Sequence, residues 1–177
     1  MNKEDFTLLY MFLALNGRVT VRGHNMFVEI MKHEGFDEHD AKEIGRNTMK
    51  ILSNIFNDED REKIVRHQFE KNIRNNTKKG NTIHNRTVLW TLINLGFSDS
   101  KYSKPEQRLV HLYAKKMGID KSYVLEMEDV ARTFFAITQE KEFLSKIRGQ
   151  DCDDVLDELE ENQQTLQRQV STLVSIG

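Results

Sequence analysis

Apolar residues recur at intervals of three and four along almost the whole 177-residue chain, and this period constrains the fold more than any other feature. No stretch alternates convincingly between apolar and polar residues with the period of two that a half-buried strand shows. Capping and helix-breaking residues divide the pattern into separate predicted helices. They cover residues 4–15, 20–34, 38–56, 58–75, 83–96, 103–117, 120–137, 139–148 and 152–175. The sequence therefore predicts an all-α fold.

The composition suits an amphipathic helical protein. Charged residues make up 31% of the chain and hydrophobic residues 38%, with one proline and nine glycines. Cys152 is the only cysteine, which excludes a disulfide framework and a thiolate metal cluster and fits a reducing compartment. The apolar run near the start is too short to span a bilayer and has no signal-cleavage pattern, so we expect a cytoplasmic protein without a membrane span.

Two parts of the chain look like copies of each other. Residues 7–15, "TLLYMFLAL", align with residues 87–95, "TVLWTLINL". Residues 19–37 then align with residues 102–120, with shared Thr/Ser, Gly and Asp positions. Self-similarity of this kind is the signature of a repeat architecture. Each unit is predicted to be a helical hairpin, and the two hairpins are expected to pack face to face.

These patterns predict one all-helical domain followed by a separate helix. The domain would occupy residues 1–150, with repeats at about 5–56 and 85–137 and a basic connection at 61–86. Residues 151–177 would form an acidic amphipathic helix.

The stretch "MKHEGFDEHD" at residues 31–40 combines histidines and acids in the manner of a metal site. Its counterpart in the second copy is "AKKMGIDKSY", which keeps the glycine, an apolar residue and the aspartate but not the histidines. A glycine suits the left-handed residue that ends one helix, and the aspartate suits the N-cap of the next. The comparison favours a corner between two helices over a metal site.

The connection at 61–86 is basic, with eight lysines and arginines against two glutamates. We identify Arg74, Lys78, Lys79 and Arg86 as candidate residues for binding nucleic acid or another anion. The alternative is a solvated surface, and the near absence of aromatic residues that would stack on bases favours it.

Residues 151–177 carry a heptad seam with one polar position. Its members are Leu156, Leu159, Gln163, Leu166, Val170 and Leu173. One interpretation is that this helix packs back on its own domain. The other is that the seam binds a partner or makes the protein a homo-oligomer through a coiled coil.

No motif typical of an enzyme is present. The sequence lacks GxGxxG, GxxxxGK[ST], HExxH, GxSxG and CxxC. Cys152 lies in an acidic run, which disfavours the thiolate that a nucleophilic cysteine needs. We therefore expect a protein without catalytic activity.

The segment "SDSKYSKPE" at residues 98–106 separates the two helices of the second hairpin. It resembles the D-G-x-[IVY]-[ST]-x-x-E loop of the tellurite-resistance TerB-like helical family. The resemblance covers roughly residues 5–137 and implies two hairpin repeats packed as one TerB-like bundle. It also implies a binding module with stress- or phage-associated functions, and divalent-metal binding through Asp99 and Glu106.

The chain departs from this pattern in two places. Ser100 stands where the pattern has glycine, and the first copy, "NGRVTVRG", has Asn16 and Gly23 in place of the two acids. Losing half of the carboxylates removes much of the charge that favours calcium or magnesium. An alternative for the second copy is a capping box, in which Ser103 and Glu106 exchange hydrogen bonds at a helix N-terminus.

The sequence thus leads to three functional hypotheses. The first is a non-enzymatic protein-interaction module resembling TerB-like proteins, with another protein as its partner. The second is a small nucleic-acid-binding regulator acting through residues 61–86. The third is a divalent-cation sensor acting through Asp99 and Glu106, with no other cofactor expected.

Overall fold

The computed structural model describes residues 1–53, 58–75, 81–98, 102–146 and 152–175. In this part of the chain the protein forms eight α-helices and no strand, which confirms the predicted all-α fold. The helices are α1 (Lys3–Leu13), α2 (Val21–His33), α3 (Glu38–Leu52), α4 (Asp58–Asn75), α5 (Thr82–Phe97), α6 (Lys104–Met117), α7 (Lys121–Leu144) and α8 (Asp153–Ser175). None of these helices is both long and apolar enough to cross a membrane.

Helices α1 and α5 form the centre of the bundle. α1 packs against α2, α3, α4 and α5, whereas α5 packs against α1, α2, α6, α7 and α8. Both central helices are apolar on nearly every side, as expected for a helix that is surrounded by others. Phe6, Leu9 and Phe12 on α1 and Leu89 and Leu92 on α5 are completely buried. Each such side chain contributes roughly 1.5–3 kcal/mol by leaving water, so burial of α1 and α5 by the surrounding helices is a main source of stability.

The two predicted corners have the geometry that the sequence indicated. Gly35 and Gly118 have positive φ angles of 85° and 71°. The residue after each glycine donates its N–H to the carbonyl five residues earlier, with N to O distances of 3.0 Å for Phe36 and 2.9 Å for Ile119. This hydrogen bond is the Schellman pattern that satisfies an otherwise unpaired carbonyl at a helix C-terminus.

The aspartate of each corner caps the following helix. Asp37 Oδ1 accepts a hydrogen bond from the Asp40 N–H at 2.9 Å, and Asp120 Oδ1 accepts one from the Ser122 N–H at 2.8 Å. Thr20 and Ser103 cap α2 and α6 in the same way. The corner interpretation is confirmed. Internal duplication as its origin stays a prediction.

Helix α7 corrects one expectation. The sequence predicted two helices, at 120–137 and 139–148, but a single helix runs from Lys121 to Leu144. Neither glycine nor proline interrupts this stretch, and Thr138 stays within the helix by donating its hydroxyl to the Phe134 carbonyl at 2.9 Å. A threonine that bonds back to its own helix does not end it.

The heptad seam of α8 faces α7 and α5 of the same chain. Leu173 is buried, and Leu156, Leu159, Gln163, Leu166 and Val170 are half-buried. The polar seam residue is also satisfied within the chain, because the Gln163 amide donates to Thr138 Oγ1 and accepts from Lys141 Nζ, both at 3.1 Å. The structure therefore places the C-terminal helix on its own bundle, as in the first interpretation of the seam.

Candidate functional site

Glu106 lies at the junction of the two predicted repeats. Its Oε2 accepts a hydrogen bond from the Ser103 N–H at 2.7 Å, and Ser103 Oγ accepts one from the Glu106 N–H at 3.4 Å. Its Oε1 accepts from the side-chain amide of Asn16, which follows α1, at 3.2 Å. The side chain is only 4% exposed. The capping-box interpretation is confirmed, and the same carboxylate links the two halves of the chain.

This arrangement suits Glu106 poorly as a metal ligand. Both of its oxygens already accept hydrogen bonds, and an amide donor from Asn16 points at the carboxylate where a cation would need an oxygen ligand. Asp99, the second predicted ligand, lies outside the described residues. Within the described ranges, no group of three or more His, Cys, Asp or Glu side chains is arranged to hold a metal ion.

Arg86, one of the candidate anion-binding residues, makes contacts within the chain. Its guanidinium carbon lies 4.3 Å from the centroid of the Tyr123 ring, and its Nη1 donates to the Leu173 carbonyl at 3.4 Å. The cation–π contact and the hydrogen bond near the end of α8 place Arg86 inside the fold. It ties α5 to α7 and α8, and its role in anion binding stays a prediction.

The other basic candidates are divided between exposed and undescribed positions. Arg74 is exposed in the last turn of α4, whereas Lys78 and Lys79 lie outside the described residues. The earlier turns of α4 are largely neutralised, since Lys63 pairs with Glu59 at 2.8 Å and Arg66 with Glu70 at 3.5 Å. Within its described residues, α4 therefore carries basic side chains that are in part paired with acids of the same helix.

A buried polar cluster at the meeting of α1, α5 and α6 was missed by the sequence analysis. The Asp5 carboxylate is 1% exposed, and one of its oxygens lies 3.2 Å from His84 Nε2. Tyr113 is buried nearby, where burial and then the charge of Asp5 raise the pKa of its phenol. No local sequence pattern indicates this pair, because His84 and Asp5 lie 79 positions apart in the sequence.

A second network joins α6 and α7 to the loop before α6. The Tyr102 hydroxyl donates to Glu128 Oε1 at 2.7 Å, and His111 Nε2 lies 3.4 Å from the same oxygen. Burial, followed by the hydrogen bond to Glu128, raises the pKa of Tyr102. Gly96 makes this approach possible, since a Cβ there would lie 2.5 Å from the Tyr102 ring.

The described surface also contains an aromatic groove between α2, α5 and α7. It has a volume of about 120 Å³. We define it by Arg22, Met26, Phe97, Ala131, Phe134 and Phe135.

Arg22 and Phe135 organise the open side of the aromatic groove. The Arg22 guanidinium carbon lies 5.5 Å from the centroid of the Phe135 ring, and Arg22 Nη2 lies 3.3 Å from Glu142 Oε1. The rings of Phe97 and Phe135 lie 6.2 Å apart. Half-buried aromatic rings beside an arginine are the side chains most often responsible for affinity at protein interfaces. Binding an apolar side chain is thus within the chemistry of this groove.

The chain matches no protein-family model, no curated protein and no solved structure. The resemblance to the TerB-like family stays a prediction.

Proposed function

We propose that this protein is a non-enzymatic interaction module that binds another protein through the aromatic groove. The observation that supports this function is the grouping of Phe97, Phe134 and Phe135 beside Arg22. These side chains are partly exposed and held by three different helices, so a partner side chain would meet a rigid surface. Binding to a preformed surface avoids much of the entropy cost of ordering loops.

The TerB-like resemblance supports the same kind of function. Members of that family act as binding modules in stress- or phage-associated processes, and we propose such a role here. The two alternative functions have less support from the described residues. A nucleic-acid regulator would have to work without Arg86, and a cation sensor would have to displace the hydrogen bonds of Glu106.

Capture of partners from an extract of the source organism tests the proposal. The immobilised wild-type chain is compared with Arg22→Glu, which reverses a charge at the groove, and with Phe135→Ser, which removes a ring. Leu125→Ser is the matched control, because Leu125 is 47% exposed and lies in the N-terminal half of α7. Circular dichroism shows whether each variant is folded.

We expect proteins that bind the wild type and the control but not the groove variants. Arg22→Glu decides the test if Phe135→Ser fails to fold, since the Arg22 side chain is 46% exposed. An identical set of captured proteins for the wild type, Leu125→Ser and Arg22→Glu would refute the groove as the binding surface.

A further inference from the structure

The C-terminal half of α7 packs against the N-terminal half of α8, and its first turn contributes Phe134 and Phe135 to the aromatic groove. We call residues 132–146 and 152–163 the α7–α8 arm. No residue of the arm is buried, although each of its helices continues into a part that packs on the bundle. The last buried residue of α7 before the arm is Ala131, and the first of α8 after it is Leu173.

The two helices of the arm leave apolar surface uncovered. Phe143 is 62% exposed and Val155 is 41% exposed. Ile137, Leu144, Leu156 and Leu159 are half-buried. The contacts between the helices include polar ones, such as Lys141 Nζ to Glu160 Oε2 at 3.2 Å. A pair of helices cannot enclose its apolar side chains alone, so these residues are open to a further helix.

The arm is also strongly acidic on α8. The arm's part of α8 has six exposed carboxylates and no lysine or arginine of its own, and one carboxylate, that of Glu160, pairs with Lys141 of α7. The six carboxylates belong to Asp153, Asp154, Asp157, Glu158, Glu160 and Glu161. Uncovered apolar residues bordered by one sign of charge select a partner that offers apolar residues bordered by the opposite sign.

We propose that the α7–α8 arm docks a basic amphipathic helix of a partner protein. This inference rests on the proposed interaction function and adds the chemistry of the partner. The apolar stripe of the incoming helix would cover Phe143, Val155 and Leu159, and its lysines or arginines would face the α8 carboxylates. Recognition of an amphipathic helix by apolar anchors flanked by complementary charge is a recurrent mode of protein binding.

A second copy of this chain fits the arm less well. Two arms brought together would place their α8 carboxylates near each other, and like charges at an interface are unfavourable. Helix α4, which contains several lysines and arginines, has as many acids as bases and already buries Val65, Phe69 and Ile73 in the core of the bundle. It has no free apolar stripe of comparable size to offer within its described residues.

Two synthetic peptides and the full chain test the inference. Both peptides carry leucines at the same heptad positions, but one has lysines and the other glutamates at the remaining positions. Fluorescence anisotropy of the labelled peptides measures binding. We expect the basic peptide to bind saturably. Its affinity should fall about tenfold or more between roughly 50 mM and 300 mM salt, because salt screens exposed charges.

Matched variants locate the binding surface. Val155→Ser/Glu158→Lys changes one exposed apolar and one exposed acidic residue of the arm. Leu125→Ser/Glu126→Lys makes the same changes on α7 outside the arm, where both residues are also exposed. All four positions are exposed, so both variants are expected to fold. The arm variant should bind the basic peptide at least tenfold more weakly than the wild type does, and the control variant should bind it with unchanged affinity.

Several outcomes would overturn the inference. They are absence of basic-peptide binding, equal binding of the acidic peptide, and equal binding by the arm variant. A wild-type dimer in sedimentation that Val155→Ser/Glu158→Lys abolishes would identify a second copy as the occupant and would also refute it. The basic peptide could fail to bind while Arg22→Glu still loses its partners from the extract. That result would leave the proposed function intact and refute only the docking of a basic helix on the arm.

Discussion

Replacing Glu106 with glutamine removes a charge from the junction of the two halves while keeping the size of the side chain. The wild-type carboxylate accepts hydrogen bonds from the Ser103 N–H and from the Asn16 amide. Glutamine offers one acceptor oxygen and one donor nitrogen, so one of these two donors would face another donor. The substitution therefore changes the hydrogen bonds of residue 106 while leaving the packing of its side chain almost unchanged.

The size of the effect follows from the burial of the group. Leaving a buried donor without an acceptor costs about 1–3 kcal/mol, and hydrogen bonds to an ionised group are stronger than neutral ones. Because Glu106 is only 4% exposed, little solvent can reach the unpaired group. We expect Glu106→Gln to lower the free energy of unfolding by about 2 kcal/mol. For a chain of this length, that corresponds to a fall in Tm of roughly 4–8 °C.

Urea unfolding followed by circular dichroism at neutral pH measures this change. Glu126→Gln is the matched control, since Glu126 is an exposed acid on α7 and its change should stay within about 0.5 kcal/mol. Asn16→Ala and the double variant complete a thermodynamic cycle. A coupling energy of about 0.5–1.5 kcal/mol between positions 16 and 106 would show that the hydrogen bond across the junction contributes directly.

A change below about 0.5 kcal/mol for Glu106→Gln would refute the assigned role of the carboxylate. Repeating the measurement with calcium, magnesium or manganese tests the cation-sensor alternative at the same residue. A ligand that binds only the folded state raises the stability as its concentration increases. Stabilisation of the wild type by one of these ions, absent in Glu106→Gln, would support the metal hypothesis.

Three further predictions concern single residues. Tyr113→Phe should leave the free energy of unfolding in urea unchanged or raise it by about 1 kcal/mol. The reason is that the buried Tyr113 hydroxyl has no hydrogen-bond partner among the described residues. A loss of stability above about 1 kcal/mol would contradict this prediction. Gly118→Ala should lower the free energy of unfolding by about 1 kcal/mol in the same assay. The φ angle of Gly118 is +71°, which strains an alanine even though there is space for its Cβ. An unchanged urea midpoint would show that the turn does not require glycine at this position. Hydrogen bonds from Ser122 hold the pKa of the Asp120 carboxyl below its usual value. The stability that this carboxylate contributes is therefore complete above the usual pKa and is lost as the pH falls through the lower pKa of the folded state. Urea midpoints measured from about pH 6 to about pH 3 should fall less steeply in Asp120→Ala than in the wild type.

The parts of the structure that the sequence predicted depend on residues close together in the chain. The turns at Gly35 and Gly118 and the capping box of Ser103 and Glu106 each involve partners no more than five residues apart. Local propensities and steric rules act over that distance, so a pattern of letters is enough to indicate them.

The parts that were missed depend on partners far apart. Asn16 reaches Glu106 across 90 positions, and Asp5 reaches His84 across 79. The contacts of Arg86 were missed for the same reason, because they come from Tyr123 and Leu173 on other helices. Periodicity shows which face of a helix is apolar, but it does not show which other helix covers that face.

The same separation affects the protein during its synthesis. The central helix α1 ends at Leu13, whereas its partner α5 does not begin until Thr82. At a translation rate of about 5–20 residues per second, the surface of α1 that α5 covers stays open on the ribosome for roughly 3–14 s. Phe6, Leu9 and Phe12 belong to this early, apolar helix. The nascent chain therefore passes through an interval in which chaperones have ready access to its future core.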